Sequence, residues 1–84
     1  MAEVTSYFRN YVMPRRSYLT LEMCRRVLEE PLREEEQTDG RFRIWGNVPE
    51  LGNRALRVVT LQDRTTIRNA FLDRGFLRKA DPDK

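Results

Sequence analysis

The chain contains no histidine, one cysteine and two lysines. Without histidine it lacks the side chain whose ordinary pKa lies nearest neutrality, and no lysine in the body of the chain replaces it. A single cysteine, Cys24, forms no internal disulfide, which fits a reducing compartment. One cysteine and no histidine cannot supply the four ligands of a structural zinc, and no metal or other cofactor is expected. No apolar run approaches the roughly 18 residues of a membrane helix. The opening MAEVTSYFRN has no basic region followed by an apolar one, so no signal peptide is read. The expectation is a cytoplasmic protein without a membrane partner. The four glycines, Gly40, Gly46, Gly52 and Gly75, are too scattered for a phosphate loop.

What the chain does have is arginine. Of its 16 basic residues only Lys79 and Lys84 are lysine, both close to the C-terminus. Arginine carries a planar fork that grips phosphate or carboxylate through paired hydrogen bonds and stacks on rings. A codon bias toward arginine would produce the same excess. The net charge is +3, and after Phe42 basic residues outnumber acidic ones. At 84 residues, with 39% hydrophobic and 10% aromatic content, the chain suits one small domain with a thin core. The domain is expected over residues 1–76, with residues 77–84 as a flexible tail.

Periodicity divides the chain in two. Tyr7, Phe8, Tyr11 and Val12 recur at helical spacing, and Thr5 or Ser6 could cap a short helix there. An opening strand over residues 5–13 is the alternative, because tyrosine and valine also favour sheets. A second helix follows the cap Thr20, with Leu21, Cys24, Val27 and Leu28 on its buried stripe and Pro31 stopping it. Cys24 on that stripe reads as core rather than nucleophile. Glu22–Arg26, Arg25–Glu29 and Arg26–Glu30 are spaced to pair on the other face.

From Leu32 the period becomes two. Arg33 to Thr38 reads as a polar edge strand, and Glu34, Glu35 and Glu36 guard that edge rather than hold a cation. Asp39-Gly40 signals a two-residue hairpin turn, then Arg41 to Val48 forms the next strand. After the loop PELGN, Arg54 to Gln62 and Thr65 to Phe71 flank a second turn at Asp63-Arg64. The fold class is therefore α+β: one or two N-terminal helices packed on a four-stranded antiparallel meander.

Two-residue turns fix a register. Glu36 would fall opposite Arg43, and Glu34 opposite Trp45. Phe42, Ile44, Leu56, Val58, Ile67 and Phe71 would pack on the helices. The opposite face would carry Arg43, Trp45, Arg57 and Arg68, floored by Val59 and Leu61. These four form the candidate RNA-binding set, with the arginines neutralising phosphates and an accessible Trp45 stacking on a base. The plain alternative is that Trp45 is core and Arg43 only pairs with Glu36.

The run DGRFRIWGNVPELGNRALRVVTL from Asp39, followed by TTIRNAFLDRGF, resembles the BrnT-like branch of the RelE/ParE toxin superfamily. The step from Leu28 to Pro31 and the closing Phe71, Asp73, Arg74 and Phe76 belong to the same pattern, which covers roughly Thr20 to Phe76. The resemblance implies a microbial-ribonuclease-like domain. Its relatives cut messenger RNA, often on the ribosome, without metal, and are neutralised by an antitoxin protein. On that basis Arg57, Arg68 and Arg74 are the candidate catalytic residues, and a metal-free ribonuclease without histidine would need Glu50, Asp73 or a tyrosine for proton transfer. RNA or the ribosome, an antitoxin and a second copy of the chain are the candidate partners. The other class of reading is a non-catalytic protein-interaction module with Trp45, Val59 and Leu61 as its patch.

Overall fold

Thr20 opens the longest helix as expected. In the computed structural model, which describes residues 3–76, its extended backbone places the side-chain oxygen to accept from Met23 N at 3.2 Å. Helix α1 (Leu21–Glu29) then buries Met23, Cys24 and Val27 and leaves Leu21 and Leu28 half-buried. It ends two residues before Pro31. The i,i+4 partners expected for Arg26 give way to a distant one. Its guanidinium makes two hydrogen bonds to Glu50, at 2.7 and 2.8 Å.

Residues 6–13 are helical rather than extended, with Thr5 ahead of them as the cap. A two-residue strand, β1 (Glu3–Val4), precedes a helical segment that takes π-helical form over Phe8–Val12 and 3-10 form over Met13–Arg15. Thr5 caps it through Phe8 N at 3.1 Å. Phe8 and Val12 enter the core, while Tyr7 and Tyr11 stay outside at 45% and 54% exposure. Pro14 lies within the 3-10 turn that ends the segment.

Four further strands follow: β2 (Arg33–Glu36), β3 (Phe42–Val48), β4 (Arg54–Thr60) and β5 (Thr66–Leu72). The sheet order is β1-β5-β4-β3-β2. The meander β2 to β5 is antiparallel, and β1 adds a parallel strand through Glu3–Thr66 and Val4–Ile67. The sheet is thus five-stranded and mixed, not four-stranded. Two residues carry no readable period, so β1 was invisible in sequence.

Both hairpin registers differ from expectation. In the first, Gln37 N donates to Arg41 O at 2.7 Å and Gly40 N to Gln37 O at 3.0 Å. Only Gly40 of the pair has positive φ, +89°. This is a three-residue loop ending in a left-handed glycine, not a two-residue turn needing positive φ twice. Arg33 therefore faces Trp45 and Glu35 faces Arg43, each one place from expectation. In the second, Leu61 does face Thr66, through Leu61 N to Thr66 O at 2.9 Å. The ladder then breaks. Thr60 pairs with Ile67 but Val59 pairs with Asn69, leaving Arg68 as the extra residue of a β-bulge. Beyond it the faces swap, because the side-chain period is two. Ala70 and Leu72 turn toward the helices, and Phe71 lies on the open face opposite Arg57. The placement of Phe71 in the core is corrected on that ground.

The main core lies between the helices and one sheet face. Phe8, Val12, Leu19, Cys24, Val27, Ile44, Val48, Leu56, Val58, Ile67 and Ala70 form it. Gly46 lets α1 approach β3: a Cβ there would stand 2.9 Å from Val27 Cγ2 and 3.0 Å from Val27 Cα. No helix among the described residues is long and apolar enough to cross a membrane. The tail expected at 77–84 lies outside the described residues.

Candidate functional site on the open sheet face

The face away from the helices carries a row of direct cross-strand neighbours. Arg33 of β2 faces Trp45 of β3, Trp45 faces Arg57 of β4, and Arg57 faces Phe71 of β5. Cations and rings alternate along it. The Arg33 and Arg57 guanidiniums lie 5.6 and 5.7 Å from the Trp45 ring centre. Arg57 lies 4.5 Å from the Phe71 ring, and Arg16, arriving from the end of the N-terminal segment, lies 6.0 Å from it. Such contacts hold guanidiniums in place without neutralising their charge.

Trp45 is not the accessible ring expected from sequence. It is 5% exposed, in a small cluster with Ala55 and Phe76. The Phe76 ring stacks on it with centres 5.2 Å apart and planes 11° from parallel. The turn after β5 arranges this. Asp73 N donates to Ala55 O at 2.9 Å, Asp73 Oδ1 accepts from Phe76 N at 3.1 Å, and Asp73 Oδ2 accepts from Trp45 Nε1 at 2.9 Å. The indole N–H is the main reason the Asp73 carboxyl sits below its ordinary pKa, with Phe76 N–H and nearby Arg57 adding to it. In sequence, the closing residues Asp73 and Phe76 stood out only through a resemblance. In the fold they roof Trp45.

Beside that roof lies a cleft of about 240 Å³ lined by Arg33, Glu35, Arg43, Trp45, Arg57, Asp73, Gly75 and Phe76. Glu35 pairs with Arg33. Asp73 Oδ2 stands 3.7 Å from Arg57 Nε, close enough for charge attraction but too far for a hydrogen bond. Among the described residues, the Nε atoms of Arg43 and Arg57 are both buried without a hydrogen-bond partner. Three arginines against two carboxylates leave the cleft a net positive charge that suits an oxyanion.

The structure brings Arg43, Trp45 and Arg57 together, as expected, and adds Arg33, Glu35 and Asp73. It does not bring in Arg68, whose guanidinium lies 5.2 Å from the Tyr7 ring on the N-terminal segment. Arg74 is exposed on the closing turn, outside the residues lining the cleft. Glu50, a candidate for proton transfer, is held by Arg26, whose hydrogen bonds lower its pKa to about 2. Cys24 is buried in the core, and burial pushes its thiol up to about 12, so it is no nucleophile near neutrality.

No family model, curated protein or solved structure matches this chain.

Proposed function

We propose that the chain is an RNA-binding domain whose open sheet face takes a phosphodiester in the cleft of Arg33, Arg43 and Arg57. The observation that carries this reading is the convergence of Arg33, Arg43 and Arg57 on one cleft beside the roofed Trp45. Charge agrees with it. Three arginines face two carboxylates in the cleft, and the single positive charge left over matches the single negative charge of a phosphodiester. The nine-residue helix α1 packed on the antiparallel strands β2 to β5 is compatible with the RelE/BrnT-like arrangement that the sequence resembles, and with it a cytoplasmic site of action, a ribosomal target and a neutralising antitoxin.

Binding is the better-supported half of that reading. Cleavage without metal needs a group that accepts a proton from the 2′-hydroxyl. Asp73 is depressed by Trp45 and Glu50 by Arg26, so both are weak bases. The roofed Trp45 offers no base-stacking face, and the cleft works through phosphate.

Fluorescence anisotropy with labelled single-stranded RNA tests the proposal. Wild type binds at low salt, and Arg43→Ala weakens binding about tenfold or more, as loss of a charge-assisted hydrogen bond costs ~1.5 kcal/mol or more. The slope of log K against log salt falls by about 0.7 in the variant, the loss of one neutralised phosphate on a single strand. Incubation with total RNA and with translating ribosomes, beside Arg57→Ala/Arg68→Ala, reports on cleavage. No RNA retention by wild type at low salt overturns the proposal in favour of a protein-interaction module.

A further inference from the structure

Two local irregularities converge on one patch outside the cleft. The β-bulge throws Arg68 off the open face, and its guanidinium settles 5.2 Å from the Tyr7 ring. Tyr7 leads into the π-helical stretch Phe8–Val12, a form rare enough to mark functional segments. One turn on, Tyr11 lies beside Tyr7 with ring centres 5.8 Å apart and planes tilted by 33°. Burial cannot explain these rings, since both are about half exposed while their neighbours Phe8 and Val12 fill the core.

The patch is continuous with the cleft. Arg16, at the end of the same N-terminal segment, reaches Phe71 on the open face, and Phe71 is the next member of the row after Arg57. From β2 to β5 the row spans three strand spacings, about 14 Å. From Phe71 back to Arg68 along β5 adds roughly 10 Å. Apart from Asn69, between Arg68 and Phe71, the outward stations on this path are arginines or aromatic rings. Rings stack on any base and arginines neutralise the backbone, the combination that holds single strands without reading their sequence.

We infer that Tyr7, Tyr11 and Arg68 form a second nucleic-acid contact, at which a base of a single-stranded RNA stacks while a phosphate several nucleotides away sits in the cleft. The inference rests on the RNA-binding reading and deepens it. The ligand is a single strand long enough to span both points, and a strand of about three nucleotides engages the cleft alone. Charge complementarity and continuity with the cleft favour RNA over a protein partner here.

The test measures binding of labelled oligouridylates of about three and about ten nucleotides to wild type, Arg43→Ala, Tyr7→Ala/Tyr11→Ala and Tyr7→Phe/Tyr11→Phe. The alanine pair is expected to weaken the long strand about fivefold or more, the lower end of stacking one base, and to leave the short strand unchanged. The phenylalanine pair keeps the rings and binds as wild type, and its melting curve shows that the segment remains folded. If the alanine pair holds the long strand as tightly as wild type while Arg43→Ala weakens both strands, the second contact is overturned, the cleft stands, and the tyrosines pass to a protein partner or a second copy. If the phenylalanine pair loses as much as the alanine pair, stacking is overturned. If wild type holds neither strand at low salt, both readings fall.

Discussion

Gly46 shows how much one missing methyl group decides. Its neighbours on β3 alternate plainly, with Ile44 and Val48 inward and Arg43 and Trp45 outward. Gly46 occupies an inward position, and Val27 of α1 fills the space a side chain would take. Gly46→Ala forces a Cβ within about 3 Å of Val27 backbone and side chain, so α1 must lift from the sheet. Overpacking of this kind costs about 1–3 kcal/mol. Thermal melting followed by circular dichroism is expected to fall by at least ~4 °C; an unchanged midpoint would show that α1 has room to move. The alternation of β3 was legible in sequence because it depends only on the chain's own pleat. The roof over Trp45 was not, since it comes from Phe76, far along the chain, through a turn whose capping residue is Asp73.

The elements carry the larger errors and their reasons. An Asp-Gly pair serves both a two-residue turn and the three-residue loop seen here, and the choice moved every β2 partner by one place. Arg33 and Glu35 joined the site, while Glu34 turned to the other side to meet Arg64 at 2.8 and 2.7 Å. Arg64 also donates to the Leu28 carbonyl near the end of α1, which ties the β4–β5 turn to the helix. The run Thr66 to Leu72 likewise has two solutions, straight or bulged, and only packing selects Ala70 and Leu72 over Asn69 and Phe71. The bulge makes a deletion prediction of unusual sign. Removing Arg68 leaves Ile67, Ala70 and Leu72 inward and Asn69 and Phe71 outward, so the protein is expected to melt cooperatively within a few degrees of wild type. Removing Phe71 instead turns Leu72 outward and is expected to abolish the cooperative transition. Equal damage from the two deletions would mean that the bulge is needed for folding itself.

At the scale of the molecule, absence of histidine and presence of tied carboxylates set the response to pH. No side chain in the sequence titrates with an ordinary pKa between about 5 and 8. Glu50 is lowered to about 2, first by its hydrogen bonds from Arg26. Asp63 is lowered to about 2, first by the Thr66 hydroxyl and then by backbone N–H groups of the turn. Glu34 is lowered by Arg64, and Asp73 by Trp45. A group with a depressed folded-state pKa stabilises the fold above its unfolded value, and that stabilisation disappears as pH falls through the folded one. The melting temperature is expected to stay level from about pH 8 to 5 and to drop between about pH 4 and 2. Glu50→Gln/Asp63→Asn should make that acid limb shallower; a limb of unchanged depth would place its origin in other carboxylates.

The parallel strand β1 has a consequence for the order in which the molecule assembles. The meander β2 to β5 closes through short loops between chain neighbours, whereas Val4 meets Ile67 only after most of the chain has been brought round. Closing a loop of that length costs entropy before any contact is gained. Docking of the N-terminal segment, which carries Phe8 and Val12 into the core, is therefore expected to come late in folding. The amide of Thr5, bonded to Ile67 O at 3.0 Å, should trade its hydrogen with water faster than those inside β3 and β4. Tyr7 and Tyr11 ride on that segment, so Tyr7 meets Arg68 only once the segment has docked.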